Sequence, residues 1–142
     1  MKQTIIIISV AAFLLFLMYS SRDKFSHDVS RHPILLQVRE NFGKISSEYT
    51  KIPLREGDSA YTENKEVITL CLKDPATGKY YDMNTIMYVA LHELAHVICE
   101  AHGHGEEFKK KFAKLLRYAA KIHIYDPKIG MSHTYCGLNN QE

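Results

Sequence analysis

Apolar residues fill the chain from Ile5 to Tyr19 almost without a break, and no charged side chain stands between Gln3 and Ser21. Lys2 precedes this run, and Arg22, Asp23 and Lys24 follow it. As a helix it would span roughly 28 Å, close to the hydrocarbon thickness of a bilayer. A core helix would show a polar stripe, whereas Ser9 alone interrupts Ile5 to Leu17. A cleaved signal peptide would need small residues where Met18 and Tyr19 stand. Residues 1–24 are therefore read as an uncleaved, single-pass membrane anchor.

Beyond the anchor the pattern changes period. Residues 25–32 are largely polar and read as a linker. Pro33 suits a first helical turn, and Ile34, Leu35, Val38, Phe42 and Ile45 recur at helical spacing until Pro53 and Gly57-Asp58 break it. Ser59–Thr62 and Val67–Leu72 read as two short strands around a turn at Glu63-Asn64-Lys65. Asp74-Pro75-Ala76-Thr77-Gly78 is a second turn. Asn84 can cap a helix from Thr85 to about Ala101, with Gly103 as its left-handed terminator. Another helix runs from about Glu106 to Lys121, and an irregular tail follows. The order predicts an α+β domain over residues 33–142.

Length and charge narrow the function classes. A chain of 142 residues excludes a multidomain enzyme. Its net charge of +2 excludes a general polycation that holds nucleic acid by counterion release. Cys71, Cys99 and Cys136 are odd in number and widely spaced, so neither a disulfide framework nor a C-x-x-C metal pair is expected. Three free thiols suit a reducing compartment. Lys2 and the terminal amine, set against Arg22, Lys24 and Arg31, lean slightly the same way, towards a cytoplasmic C-terminal domain.

The chemistry concentrates in His92-Glu93-Leu94-Ala95-His96, inside the first of the two late helices. Histidines four apart share a helical face and can converge on one Zn²⁺. The glutamate between them can reach the metal's water and act as general base. Ile86, Val89, Ala90, Leu94, Val97 and Ile98 give that helix a burying face. The candidates for a third ligand are His102, His104, Glu100, Glu106 and Glu107. If the helix continues to Ala101, His102 and Glu100 are carried too far along the axis, His102 by roughly 12 Å. His104 follows Gly103, where the chain can reverse, and is preferred, with His102 as runner-up.

His104-Gly105-Glu106-Glu107-Phe108 after the two-histidine helix resembles the H-x-x-x-F element of WLM-domain and SprT-like metallopeptidases. The likeness extends over Val67–Leu72, Tyr80–His96 and Tyr135-Cys136-Gly137-Leu138. It is particularly similar to small WLM-like metallopeptidases of large DNA viruses. The resemblance implies a zincin-like fold, a zinc cofactor held by His92, His96 and His104, Glu93 as base, and Phe108 packed beneath the third ligand. One departure stands out: the spacing from second to third ligand is two residues longer than is usual in WLM domains. In zincin-like folds an edge strand above the site pairs with an extended substrate. Val67–Leu72 is the candidate, though its alternation fits a core strand equally.

Other groups carry weaker signals. Tyr135, Tyr125, His123 and His133 could donate to an anionic intermediate, Tyr135 having the better claim through its family-like segment. Lys109, Lys110, Lys111, Lys114, Arg117 and Lys121 make one helix face basic. That face is read as solvated; nucleic acid remains a possible partner but is not favoured, since no aromatic interleaving is evident there. The sequence thus predicts a membrane-anchored zinc peptidase acting on a protein or peptide. The rival is a non-catalytic, zinc-stabilised binding or structural module of a membrane or virion, which would need the histidines but not Glu93.

Overall fold

The computed structural model describes residues 31–131, residue 13, and residues 134–136 and 138–139. The expected anchor, residue 13 apart, and the linker up to residue 30 lie outside the described residues. Among the described residues no helix is long and apolar enough to cross a membrane.

Helix α1 (Pro33–Ile45) starts where Pro33 places it, with His32 Nδ1 accepting from the Ile34 amide at 3.2 Å. It buries Leu35, Val38 and Phe42. A 3₁₀ turn (Ser47–Lys51) then leads into strand β1 (Leu54–Glu56); periodicity indicated neither. Strands β2 (Tyr61–Glu63) and β3 (Val67–Leu70) form the expected hairpin. Its turn contains Asn64 and Lys65, both left-handed at φ 51° and 59°. The sheet order is β1-β3-β2, with β3 parallel to β1 and antiparallel to β2. Gly57 lies close over β3: a Cβ there would meet the Thr69 methyl at 2.5 Å.

Helix α2 (Met83–Ile98) packs against β2, β3 and α3 (Glu106–Lys121). Ile86, Met87, Ala90, Leu91, Leu94 and Ala95 on α2 are fully buried, as are Leu54, Ile68, Leu70 and Leu72 from the sheet region. Each large aliphatic side chain removed from water contributes about 1.5–3 kcal/mol. The tail, expected to be irregular, forms a small antiparallel hairpin, β4 (Thr134–Tyr135) with β5 (Leu138–Asn139).

Two expectations are corrected. The first concerns the ends of α2, which starts two residues before Thr85 and stops at Ile98 rather than Ala101. Asp82, not Asn84, is the cap, accepting from the Thr85 amide at 2.9 Å and the Thr85 hydroxyl at 2.7 Å. The Asn84 side chain instead pairs with the Asp126 backbone, at 2.7 and 3.0 Å. The second concerns the cysteines. Cys71 and Cys136 form a disulfide and Cys99 alone is free and buried. Their Cα atoms are 6.2 Å apart, within the usual range, because the tail hairpin lies back against the end of β3. With that bond present, the thiol argument for a reducing compartment no longer holds.

Burial alone would raise the Asp82 pKa, but hydrogen bonds from the Thr85 side chain and from the Thr85, Asp82 and Asn84 backbone together outweigh it and lower it. The cap's contribution is therefore complete above the ordinary value of 3.8 and is lost as pH falls through the lowered folded-state value. Asp82→Ala should cost about 1 kcal/mol near neutral pH. In urea unfolding, the difference from wild type should shrink in strong acid; a pH-independent cost would show that the charged cap is not its source.

Candidate metal centre

Side chains four apart on α2 stack on one face, so His92 and His96 emerge together on the one side of the helix left open. His104 comes back to them from the α2–α3 loop. The three Nε2 atoms stand 3.1 Å (His92–His104), 3.1 Å (His96–His104) and 3.3 Å (His92–His96) apart. The ring centroids are wider apart, at 4.9–5.0 Å, so the rings converge through their Nε2 tips. Two nitrogens on one tetrahedral Zn²⁺, each at about 2.0–2.1 Å, would be separated by about 3.3 Å. The donor set fits the ion in type, number and spacing.

The surroundings favour the neutral form of His92 and His96. Burial, followed by the neighbouring His96 and His104, pushes His92 down to about 4. Burial also lowers His96. Neutral imidazoles present the lone pairs a metal requires. Phe108, buried, lies beneath all three rings, stacked on His96 at 4.3 Å and edge-on to His92 and His104 at 4.9 and 4.8 Å.

Glu93 projects beside the triad and is 6% exposed. Burial raises its pKa, and a hydrogen bond from Thr62 opposes that rise. Thr62 Oγ1 donates to Glu93 Oε2 at 2.7 Å and also lies 3.0 Å from the Glu93 carbonyl. Oε1 has no partner among the described residues. Thr62 was not identified from sequence; nothing local links it to a residue 31 positions away. Together with Ala60, Tyr61, Asn64 and Lys65 on one side and Ala101–His104 on the other, these groups line a cleft of about 550 Å³.

His102 lines the cleft but is exposed and stands outside the triad. The helix does break at Cys99, so the axial argument against His102 loses its premise; the loop, not helix length, selects His104. Among the acidic candidates, Glu100 is exposed, Glu106 pairs with Lys109, and Glu107 accepts from the amides of Glu100 and Ala101. Tyr135 is buried, donates its hydroxyl to the Cys71 carbonyl at 2.5 Å, and does not line the cleft. Tyr125 packs on the Tyr88 ring, His123 is exposed just past α3, and His133 lies outside the described residues. Val67–Leu70 is the central strand, so β2 is the edge that borders the cleft.

The basic face of α3 is less uniform than its sequence suggests. Lys109 and Lys111 are ion-paired within the helix. Lys111, Lys114, Arg117 and Lys121 line a groove of about 750 Å³ that also takes Tyr49 and Tyr118, so two aromatic rings do stand among the cations.

The sequence profile of the WLM domain matches residues 61–140. Uncharacterized protein 042R of Invertebrate iridescent virus 3 is 41% identical over 90 residues, covering 63% of this chain and 57% of that protein. Uncharacterized protein R325 of Acanthamoeba polyphaga mimivirus is 35% identical over 113 residues, covering 75% and 54%. The chain spans about half the length of the curated relatives it matches. The crystal structure of Wss1 from Saccharomyces cerevisiae is similar in fold, with a TM-score of 0.57 at 21% identity, covering 63% of this chain and 77% of that one.

Removing one imidazole at a time should separate the two rival histidines. His104→Ala is expected to weaken Zn²⁺ binding by orders of magnitude in a chelator competition, while His102→Ala leaves it near wild type. The opposite ranking would place His102 on the metal.

Proposed function

The chain belongs to the WLM-domain family, and on that premise we propose that it is a zinc metallopeptidase hydrolysing peptide bonds in a protein or peptide substrate. The observation that carries this reading is the convergence of His92, His96 and His104 beside a buried Glu93 with one free oxygen. His92, His96 and His104 would hold the ion. When bound, zinc supplies Lewis acidity that makes a water molecule reactive near neutral pH and polarises a peptide carbonyl.

The remaining steps belong to the protein. Thr62 fixes Oε2 of Glu93, leaving Oε1 to accept the proton of the attacking water and return it to the leaving amine. Burial raises the carboxyl's basicity towards the working pH of a general base. Among the described residues the outer edge of β2 has no strand partner, and it borders the cleft, so an extended substrate backbone can pair there. Tyr135, with its hydroxyl committed to Cys71, has a tail-anchoring role in this reading rather than a catalytic one.

Residues 3–21 would tether the domain to a membrane, with the flanking charges favouring a cytoplasmic domain. The full chain should then remain with membranes through alkaline carbonate washing. Recovery of a soluble species beginning near Arg22 would refute the anchor.

Glu93→Gln separates the enzyme from a zinc-stabilised binding module. The amide retains the volume and can keep the Thr62 contact, but it cannot take a proton. Zinc content and thermal midpoint should persist while peptide hydrolysis falls by roughly 10²–10⁴-fold. A zinc-loaded wild type that hydrolyses no better than this variant would favour the module.

A further inference from the structure

Seven residues lie between His96 and His104, and in that interval the chain must leave α2 and return to the triad. A glycine does not make the exit. Cys99 is extended at φ −85°, ψ 132°, and Gly103, left-handed at φ 78°, comes only one residue before His104. Between these points the backbone of Ile98–Ala101 is held by side chains from elsewhere. Lys65 Nζ donates to the carbonyls of Cys99, Glu100 and Ala101 at 2.6, 2.5 and 3.3 Å. Glu107 accepts from the amides of Glu100 and Ala101 through separate oxygens, both at 3.2 Å. Lys111 donates to the Ile98 carbonyl at 2.6 Å and pairs with Glu107 at 3.0 Å.

Such concentration on one short stretch is not incidental. An ammonium has three donor hydrogens, and Lys65 has three carbonyls of this loop around it. It reaches them from the β2–β3 turn, across the end of the cleft it helps to line. Its own backbone is left-handed, uncommon for a residue other than glycine, asparagine or aspartate. Unfavourable backbone states persist where the surroundings over-determine them, and three contacts on Nζ supply that here. Glu107 and Lys111 come from the first turns of α3, next to Phe108 beneath the histidines. The loop is therefore tied to both elements that flank the site.

We infer that Lys65, Glu107 and Lys111 form a polar clamp that positions His104 as the third metal ligand. The clamp replaces a glycine-made reversal: it sets the path of the loop so that the imidazole arrives at the triad. This inference rests on the metal-centre reading above, but not on turnover.

The test uses the full chain in detergent, with Zn²⁺ affinity from chelator competition and the visible spectrum of the Co²⁺ form. Lys65→Met and Glu107→Ala should each weaken Zn²⁺ binding by about 10–100-fold, the usual effect of removing a support behind a ligand. Their Co²⁺ bands should fade or shift as His104 leaves, while metal-free thermal midpoints stay close to wild type. Lys65→Arg keeps donors for the carbonyls and should restore affinity to within about threefold of wild type. Unchanged affinity and spectrum in Lys65→Met would overturn the clamp, as would equal losses in Lys65→Arg and Lys65→Met. If Lys65→Met fails to fold, Glu107→Ala decides the matter by the same two readouts. A wild type that binds metal but cleaves no peptide would remove the peptidase reading and leave the clamp standing; one that binds no metal removes both.

Discussion

Helix α2 is packed against β2 and β3 on one side and α3 on another, leaving one open strip for His92 and His96. A rotation of one residue would turn that strip by about 100° and point both imidazoles away from His104. The packing of Ile86, Ala90, Leu94 and Ala95, all fully buried, prevents such slippage and so fixes the direction of both imidazoles. Phe108 transmits the same constraint to His104, because one buried ring touches His92, His96 and His104 together. The geometry of the three imidazoles is thus a consequence of core packing.

Burial has a second effect at the same place. It holds His92 and His96 neutral and makes Glu93 a better base, shifts in opposite directions for cationic and anionic groups from one cause. Thr62 opposes only part of this, through one oxygen of Glu93. A second hydrogen bond to the carboxylate would hold its proton affinity lower and occupy the oxygen that, in the proposed reaction, would accept a proton.

Features set by neighbours in sequence were legible from it. The His-Glu-x-x-His helix, α3, the Pro33 start of α1, and the turns at Glu63–Lys65 and Asp74–Gly78 all follow from spacing and turn chemistry. What escaped depends on distant partners. β1 is short and is a strand only because β3 pairs with it in parallel. Thr62 and Lys65 act on residues 31 to 36 positions away. The end of α2 at Ile98 is set by Lys65, Glu107 and Lys111, which bond the backbone of Ile98–Ala101 from elsewhere in a stretch with no breaker of its own. The cysteine arithmetic failed for a related reason, since odd number and wide spacing say nothing about a tail that folds back on β3.

The Cys71–Cys136 bond has a topological consequence. It closes a covalent ring, its two cysteines 65 positions apart, that contains all of α2, the α2–α3 loop and α3. His92, Glu93, His96 and His104 all belong to that ring, whereas β2, with Thr62 and Lys65, stands outside it. A single backbone break anywhere within the ring, including the exposed Glu100–Gly105 loop, would therefore release no fragment while the bridge is intact. The domain would run as a nicked but undivided species until a thiol reductant opened the bridge, and only then would the two arms part.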